Sequence, residues 1–384
     1  MLVKSVNLLG FRNIKSASLE TDKQVNVFYG KNGSGKTSVL EALFYLSRAK
    51  SFRTSKKLNL LNSDSEQLAV SASIEQSSNG HRLGIGLQAN GQARMKLDGE
   101  VIHKLSEASV LFPTQIITPE SFDVFFSSPK ARRSFFDFGL FHVEPEYKTH
   151  WGAYAKLLKQ TNALLRRVAP DRRELAYWYK GLVEAAAKIE GFREMFFEKH
   201  FSKAIEKLAE KLADNEAVDL IKNFELRYKK KHLASATPEP SLDGHGFEKQ
   251  VQQQIEKDIK YKQVGFGPNR ADIVFLKDKE DIGNKLSRGQ SKMLFYLLEI
   301  AMVTIIRETT GKNLLLLVDD LPSEVDEHTR STMLAMLIES KAQVFVTGIE
   351  NKITREIMNY TNSVNVFHVE HGTVRPENME QLCP

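Results

Sequence analysis

A glycine-rich stretch from Gly30 to Thr37 constrains this chain more than any other feature. It reads GKNGSGKT and matches the pattern G-x-x-x-x-G-K-[ST] in full. The apolar residues Val25 to Tyr29 before it predict a buried strand, and residues Ser38 to Leu46 after it predict a helix. A loop of this composition between a strand and a helix is typical of a phosphate-binding loop, or P-loop. The sequence therefore predicts an α/β fold with a nucleotide site at this turn.

The chemistry of a P-loop assigns a role to its residue types. Glycines let backbone N–H groups converge on phosphate oxygens, and the N-terminus of the following helix adds a positive electrostatic end. We expect Lys36 to bridge the β- and γ-phosphates of ATP and Thr37 to coordinate Mg²⁺. The residues predicted to bind the nucleotide are Gly30, Lys31, Asn32, Gly33, Ser34, Gly35, Lys36, Thr37 and Ser38. The alternative is a glycine-rich turn that binds no ligand.

A P-loop site needs a further acid to hold its metal, and two aspartates follow an apolar run later in the chain. The run LLLLV predicts a buried strand, and Asp319 and Asp320 stand directly after it. Ligands collect at the carboxyl ends of parallel strands, so these side chains are expected near the P-loop. We predict that Asp319 binds Mg²⁺ and that Asp320 orients or deprotonates the attacking water. A helix N-cap is the alternative role for an aspartate at this place.

Three polar residues elsewhere are weaker candidates. Gln115 follows an apolar strand-like run and is predicted to contact the metal or the attacking water, with a surface glutamine as the alternative. Arg12 and Asn13, in the segment GFRNI, are predicted to reach the nucleotide from the first hairpin or to serve only as turn residues. The candidate catalytic residues are therefore Asp320, Lys36 and Gln115.

The run KLSRGQ at residues 285–290 opens into an apolar helical segment. Ser287 is a suitable N-cap, and Gln290 completes a capping box with it. The same geometry exposes the Ser287 hydroxyl, backbone N–H groups and a helix N-terminus to an incoming anion. Gly289 lets such an anion approach the backbone closely. The sequence therefore predicts a helix start that also suits anion binding.

The composition excludes several classes of protein. The single cysteine, Cys383, rules out a disulfide framework and a Cys-x-x-Cys metal site within one chain. The first residues alternate between apolar and polar types instead of forming a signal-peptide core, and no stretch approaches the roughly 18 apolar residues of a membrane span. A net charge of +6 permits nucleic-acid binding without requiring it. We expect a soluble, cytoplasmic protein without a membrane segment.

Basic residues cluster at several places along the chain. Binding to a phosphate backbone requires only arrayed positive charge, so such clusters carry little sequence specificity. A solvated helix face explains any one cluster equally well, but several clusters on a basic protein favour DNA contact. The candidate DNA-binding residues are Arg53, Lys56, Lys57, Arg132, Arg133, Arg166 and Arg167.

The hydrophobic period divides the chain into three predicted parts. Residues 1–125 are mainly strands around one helix and form the N-terminal part of the nucleotide-binding domain. Residues 126–260 are predicted to form a helical lobe. Residues 261–384 return to an α/β pattern, in which LLLLV and AQVFVTG are short apolar runs of the kind buried in parallel sheets.

Finer predictions follow within these parts. The pairs Asn90-Gly91 and Asp98-Gly99 predict tight hairpin turns between alternating strands. A heptad-like seam from Leu175 to Phe196 predicts a long helix that packs along a neighbour within residues 151–165. Pro170 separates the two helices and provides the turn.

In this order, the motifs resemble those of the ATPase heads of ABC and SMC proteins. The segments LLGFRNI, YGKNGSGKTSVLEAL, ITPESFDVFFSSPKARRSFFD, GPNRADI, LSRGQSKM and VDDLPSEVDE resemble the RecF family more closely, at similar separations and over nearly the whole chain. Ser127 stands where that family usually has glycine, Asn269 replaces a usual histidine, and Val325 replaces a usual leucine. Thr347 stands where transporter ATPases have a histidine after the last core strand. The resemblance implies an α/β, ABC/SMC-type P-loop ATPase head, built from the N- and C-terminal parts together, with an inserted helical lobe.

The RecF resemblance also implies an ATP-gated DNA clamp with weak ATPase activity. ATP between two heads should stabilise a homodimer, in which Ser287, Gly289 and Gln290 contact the nucleotide of the other subunit. Single-stranded DNA, double-stranded DNA and their junctions should bind the joined heads and lobes until hydrolysis releases them. The family acts with RecR and RecO in loading RecA at single-strand gaps, in DNA repair, replication restart and the SOS response. An SMC-like ATPase of another DNA-repair or defence system is the alternative.

Overall fold

The computed structural model of the protein divides into two compact units. Unit 1 comprises Met1–Phe122 and Leu298–Pro384, and unit 2 comprises Asp123–Leu297. The structure describes residues 1–76, 79–211, 224–231, 244–283, 285–320 and 327–377. Val325 and Cys383, singled out in the sequence, lie outside the described residues.

The elements are numbered along the chain. The strands are β1 (Leu2–Phe11), β2 (Ile14–Glu20), β3 (Val25–Tyr29), β4 (Gln67–Gln76), β5 (Asn79–Gln88), β6 (Ala93–Leu97), β7 (Glu100–Ile102), β8 (Thr114–Ile117), β9 (Glu225–Lys229), β10 (Asp272–Lys277), β11 (Glu280–Asp281), β12 (Leu315–Val318), β13 (Gln343–Gly348), β14 (Val364–Glu370) and β15 (Thr373–Pro376). The helices are α1 (Lys36–Arg48), α2 (Leu105–Leu111), α3 (Ser121–Ser127), α4 (Pro129–Val143), α5 (Tyr147–Leu165), α6 (Arg172–Phe196), α7 (Ser202–Lys211), α8 (Gly244–Tyr261), α9 (Arg288–Thr310), α10 (Glu327–Glu339) and α11 (Lys352–Met358).

A mainly parallel sheet with the strand order β15-β14-β3-β13-β12-β8 lies in unit 1. Its neighbours pair in parallel except for the antiparallel pair β14 and β15. Every residue of β12 and β13 is buried, because helices and sheets cover both faces of such a sheet. The apolar runs LLLLV and AQVFVTG thus form parallel strands, as predicted. The carboxyl ends of β3 and β12 bring the P-loop and Asp319 to one edge of the sheet.

The second sheet of unit 1, β2-β1-β4-β5-β6-β7, is antiparallel throughout. Its tight turns fall at the predicted pairs. Gly91 has a φ of 86°, and Asp98 and Gly99 have φ values of 52° and 93°. Positive φ at both Asp98 and Gly99 defines a type I′ turn, whose twist matches the flanking strands. At the other pair only Gly91 has positive φ, and the Gly91 N–H donates to the Gln88 carbonyl in a longer loop between β5 and β6. The hairpin predictions are therefore confirmed.

One hydrophobic core joins α1 to both sheets of unit 1. Leu40 and Leu43 of α1 share this core with Phe28 and Leu317 of the parallel sheet and with Val70 of the antiparallel sheet. Because α1 is fixed on both sides, the loop at its N-terminus has a rigid support.

Unit 2 contains the predicted pair of long helices. α5 and α6 pack against each other, and the seam residues Leu175, Leu182, Ile189 and Phe196 are all buried. The prediction of a long helix packed along its neighbour is confirmed. The turn between the two helices falls at residues 166–171, where Asp171 caps α6 by accepting a hydrogen bond from the Arg173 N–H.

The second boundary of the lobe differs from the predicted one at residue 260. β10 pairs with β9 in antiparallel register, and β11 pairs with β10. β10 and β11, which follow residue 260, thus share one sheet with β9, which precedes it. The segment that contains β10 and β11 therefore belongs to unit 2. The division falls instead after Leu297, inside α9. Sequence periodicity misses this because the sheet joins segments that lie far apart in the chain.

Helix α9 is, among the described residues, long and apolar enough to cross a membrane by length and composition alone. Most of its apolar window, 78%, is nevertheless buried inside the protein. The core helix of a globular domain meets the same criteria, and its apolar faces are already covered here by protein.

Candidate nucleotide-binding site

The P-loop adopts the backbone that its glycines make possible. Gly30, Gly33 and Gly35 have φ values of 152°, 78° and 120°, in the region that favours glycine. Gly35 is the N-cap of α1 and provides no side-chain hydrogen bond. The first N–H groups of α1 are therefore suited to an anion.

Lys36 lies over the loop. Its Nζ donates hydrogen bonds to the carbonyl oxygens of Gly30, at 2.7 Å, and Lys31, at 3.0 Å. Burial lowers the pKa of Lys36, while the negative charges of Asp320 and Asp319 act in the opposite direction. The two acids thus favour the charged form of Lys36, which is the form that binds phosphate.

Asp319 links the two motifs of the site. Its Oδ1 accepts hydrogen bonds from Thr37 Oγ1 at 2.9 Å and from Thr347 Oγ1 at 2.8 Å. Burial raises the pKa of Asp319, and the two threonine hydrogen bonds oppose this rise. The structure therefore brings the predicted metal ligands Thr37 and Asp319 into direct contact.

The Thr37 and Asp319 oxygens fit a magnesium ion. Mg²⁺ holds oxygen ligands at about 2.0–2.1 Å, so adjacent ligands of its octahedron lie about 2.9 Å apart. The two side-chain oxygens already have this separation of 2.9 Å. Among the described residues, no group of three or more His, Cys, Asp and Glu side chains is arranged to hold a metal. A P-loop site does not need one, since it uses one hydroxyl and one carboxylate together with phosphate oxygens.

Asp320 is exposed and has a φ of 49°, an uncommon value for a residue other than glycine. Its N–H donates a hydrogen bond of 2.7 Å to Thr347 Oγ1. The next helix among the described residues, α10, begins at Glu327, so neither aspartate caps a helix that the structure describes. The positive φ follows a fully buried strand and turns the chain at the edge of the sheet.

Arg12 and Asn13 have different hydrogen-bond partners. The Arg12 guanidinium forms a bidentate ion pair with Glu41, with nitrogen–oxygen distances of 2.9 and 2.7 Å, and donates to the Asn59 carbonyl at 2.8 Å. Asn13 contacts the P-loop itself, since its Nδ2 donates to the Ser34 carbonyl at 3.0 Å and its Oδ1 accepts from Ser38 Oγ at 3.0 Å. In this structure Arg12 forms an ion pair with α1, and Asn13 forms hydrogen bonds with the P-loop and with Ser38 at the start of α1. Contact of either residue with nucleotide stays a prediction.

Gln115 forms part of a buried polar cluster. Its Oε1 accepts from Arg48 Nη2 and its Nε2 donates to Glu299 Oε2, both at 3.3 Å. Burial raises the pKa of Glu299 to about 8, although Gln115 and Arg48 counteract the rise. The oxygen and the nitrogen of the Gln115 amide are thus both hydrogen-bonded, to Arg48 and to Glu299. A contact of Gln115 with the metal or the attacking water stays a prediction.

The predicted capping box is present at the start of α9. The Ser287 N–H donates to Gln290 Oε1 at 2.9 Å, and the Gln290 N–H donates to Ser287 Oγ at 3.3 Å. A Cβ added at Gly289 would meet no atom within 4 Å. Ser287 and Gly289 are exposed, so this helix start is accessible from solvent.

The candidate DNA-binding residues differ in their availability. Arg132 is buried and forms a bidentate ion pair with Asp272, and it donates to two carbonyl oxygens of α3. The Arg132 guanidinium is thus paired inside unit 2, and its contact with DNA stays a prediction. Arg133 donates to the Ala271 carbonyl. The exposed members of the set are Arg53, Lys56, Lys57, Arg166 and Arg167, of which Arg53 pairs with Glu41 and Arg167 with Glu174.

The side chains of Thr347 and Ser34 have surroundings that the sequence did not predict. Thr347, singled out in the sequence only for standing where transporter ATPases have a histidine, binds both the Asp319 carboxylate and the Asp320 N–H. Ser34 Oγ is buried and, within the described part of the chain, has no hydrogen-bond partner. An orphaned buried hydroxyl in a P-loop suits a phosphate oxygen, because an unsatisfied buried polar group is costly.

Proteins of known family resemble this chain over almost its whole length. Residues 2–375 match the model of a family described as RecF/RecN/SMC N terminal domain. The chain is 34% identical to a protein named DNA replication and repair protein RecF from Pseudoalteromonas translucida (strain TAC 125), over 97% of this chain and 99% of that protein. The chain belongs to the RecF family. The protein of the same name from Shewanella loihica (strain ATCC BAA-1088 / PV-4) is 33% identical, with the same coverage.

Solved structures give the same result for the fold. A structure of the recombination mediator protein RecF with ATP, from the RecFOR pathway, matches with a TM-score of 0.77 and 25% identity, over 98% of this RecF-family chain and 99% of that one. An Smc head bound to the C-winged helix domain of ScpA matches with a TM-score of 0.57 and 15% identity, over 99% of both chains, and shows the fold alone. The predicted ABC/SMC-type ATPase head is confirmed.

Proposed function

We propose that this chain binds ATP with Mg²⁺ and hydrolyses it slowly, as a switch that controls its grip on DNA during repair. The observation that carries the proposal is the 2.9 Å contact between Thr37 Oγ1 and Asp319 Oδ1 beside the P-loop. Two distant motifs meet there with the ligand types and spacing that a nucleotide-bound Mg²⁺ requires. The ATP-bound RecF structure, similar over 98% of this chain, supports the same ligand.

The residues of the site divide the work. The loop N–H groups and Lys36 bind and orient the phosphates, and Thr37 and Asp319 hold Mg²⁺, which when bound neutralises charge that develops on the phosphate oxygens. Asp320 stands beside Asp319 and orients or deprotonates the attacking water. Thr347 fixes both acids through its hydroxyl.

The exposed start of α9 supports ATP-dependent dimerisation. Ser287, Gly289 and Gln290 present a hydroxyl and helix N–H groups at an open surface, which suits a phosphate supplied by a second copy of the chain. Dimerisation would thus complete the ATP site, and hydrolysis would release the partner.

The biological setting follows from the family. We propose that the homodimer binds single- and double-stranded DNA at gaps and junctions, and that it acts in the cytoplasm with RecR and RecO in loading RecA, in the SOS response and replication restart. The RecF names of relatives matching over 97% of the chain favour this role over that of an SMC-like ATPase from another repair or defence system.

Sedimentation velocity tests the proposal. The wild-type chain should dimerise with ATP and Mg²⁺, more strongly with gapped DNA, and the Lys36→Ala variant should remain monomeric and bind no nucleotide. Lys352→Ala, which removes an exposed lysine at the start of α11, is the control and should behave as wild type. ATP hydrolysis by Lys36→Ala at the wild-type rate would overturn the site assignment.

A further inference from the structure

The turn at the tip of the C-terminal hairpin lies against the P-loop. His371 and Gly372 join β14 to β15 with φ values of 47° and 77°, and Glu370 pairs with Thr373 across the turn. This is a type I′ turn, in which the N–H of the second central residue takes no part in the ladder. The Gly372 N–H instead donates a hydrogen bond of 2.8 Å to the Ser34 carbonyl.

A second donor holds the same carbonyl. Asn13 Nδ2 donates to the Ser34 carbonyl at 3.0 Å, and Asn13 Oδ1 accepts from Ser38 Oγ at 3.0 Å. The Ser34 carbonyl is therefore fixed from two separate parts of the chain, the first hairpin and the last one.

The orientation of this carbonyl determines where a phosphate donor points. The Ser34 C=O and the Gly35 N–H belong to one planar trans peptide unit, so they point in opposite directions. Holding the carbonyl toward the hairpin aims the Gly35 N–H away from it. Gly35 directly precedes α1, where backbone N–H groups bind anions.

Glycine is required at two contacts of the C-terminal hairpin, one with Asn13 of the first hairpin and one with Gly30 of the P-loop. A Cβ at Gly372 would lie 1.9 Å from the Asn13 carbonyl oxygen, and a Cβ at Gly30 would lie 2.1 Å from the Val369 carbonyl oxygen. Both oxygens are backbone atoms, which cannot rotate aside as a flexible side chain does. The hairpin thus approaches the loop as closely as backbone can.

We propose that Gly372 is a positioning residue for nucleotide binding, because its N–H holds the Ser34 carbonyl so that the Gly35 N–H faces the phosphates. The inference rests on the proposed ATP-binding function of the P-loop. It makes the C-terminal hairpin a part of the nucleotide site, although no residue of that hairpin belongs to a nucleotide-binding motif.

The test compares two glycine variants. Gly372→Ala should weaken the binding of a fluorescent ATP analogue by about tenfold, since misaligning one hydrogen bond to a charged group costs that much. ADP binding should fall by the same factor, because loop N–H groups cradle the α- and β-phosphates that both nucleotides carry. Gly311→Ala is the matched control: Gly311 has a φ of 69°, but its Cβ would meet nothing within 4 Å. It should bind both nucleotides within twofold of wild type.

Affinity is measured well below the thermal midpoint of each variant, so that loss of folding and loss of binding are separate readouts. If Gly372→Ala fails to fold, Asn13→Ala removes the other donor to the Ser34 carbonyl and should weaken both nucleotides by about fivefold. Wild-type affinity in the folded variants, with only a lower midpoint, would show a structural role and overturn the inference. Failure of the wild-type chain to bind ATP would instead overturn the proposed function.

Discussion

Thr37 Oγ1 and Asp319 Oδ1 lie 2.9 Å apart, although their residues are 282 positions apart in the sequence. β3 leads into the P-loop and β12 leads into Asp319, and β13 lies between them in the sheet. Both strands pair in parallel with β13, which aligns their carboxyl ends. Thr347, near the end of β13, lies between them and donates a hydrogen bond to Asp319. The contact between these two proposed metal ligands is thus a product of strand order.

This geometry predicts the effect of Asp319→Asn. The amide keeps the shape and a hydrogen bond acceptor for Thr37, but it removes the negative charge that is proposed to bind Mg²⁺. We expect the Mg²⁺-dependent part of ATP affinity to fall at least tenfold, roughly the lower end of the loss seen when groups that merely support metal ligands are removed. Titrating ATP with and without EDTA measures this part directly. Equal responses to EDTA in variant and wild type would contradict the assignment of Asp319.

Asp320→Asn should give a different phenotype. Asp320 is exposed at the edge of the sheet, and its backbone N–H, which the substitution retains, makes the contact with Thr347. We therefore expect normal ATP binding and dimerisation with hydrolysis slowed by about 10²- to 10⁴-fold, the usual contribution of a general base. Single-turnover hydrolysis after pre-binding of ATP separates the two steps. Loss of nucleotide binding instead would exchange the roles of Asp319 and Asp320.

Glu299 predicts a pH dependence of stability. Its ordinary pKa of 4.5 is raised to about 8 by burial, with Arg48 and Gln115 acting against the rise. Between these pH values the unfolded chain releases a proton that the folded chain retains, so stability declines as pH rises, by on the order of 1 kcal/mol per pH unit. Glu299→Gln abolishes this titration, and its stability relative to wild type should increase from pH 5 to pH 8.

Urea unfolding at the two pH values measures the effect of Glu299→Gln. Glu308→Gln, at an exposed position on the same helix, is the control and should leave the pH profile unchanged. A wild-type profile identical to that of Glu299→Gln would mean that the buried carboxyl ionises at an ordinary pH.

Arg132 and Arg166 should differ in their contribution to stability. Arg132 is buried against Asp272, so Arg132→Ala leaves a carboxylate without its partner and should cost about 3–5 kcal/mol of unfolding free energy. Arg166 is exposed at the end of α5, and Arg166→Ala should change stability by less than about 0.5 kcal/mol. Chemical denaturation of the two variants checks the difference. Similar unfolding midpoints would show that the Arg132 ion pair contributes little.

Local patterns in the sequence predicted the parts of the site that depend on neighbouring residues. The P-loop, the hairpin turn at Asp98 and Gly99, and the capping box of Ser287 and Gln290 are all local, and each is present. The place of Asp319 was predictable as well. An acid directly after a buried parallel strand lies at the carboxyl edge of the sheet, where ligands bind.

Contacts between distant segments could not be read from those patterns. Gly372 reaches Ser34 only because β14 pairs with β3, and Thr347 reaches Asp319 only because β13 pairs with β12. Arg132 stands in a basic run with Lys130 and Arg133, and nothing in that run indicates that Asp272 lies beside it. A single sequence shows the charge of a residue but not the partner that neutralises it.

The basic segment after α1 supplies a test of DNA binding. Lys56 and Lys57 are exposed, in unit 1, and among the described residues no ion pair engages either. If they contact the DNA backbone, Lys56→Ala with Lys57→Ala should weaken binding to every DNA sequence alike. The slope of log affinity against log salt should become shallower by about 0.9 for each lost phosphate contact on duplex DNA. The wild-type slope retained in the double variant would place the DNA on another cluster, and Arg166→Ala would then be the variant expected to lower it.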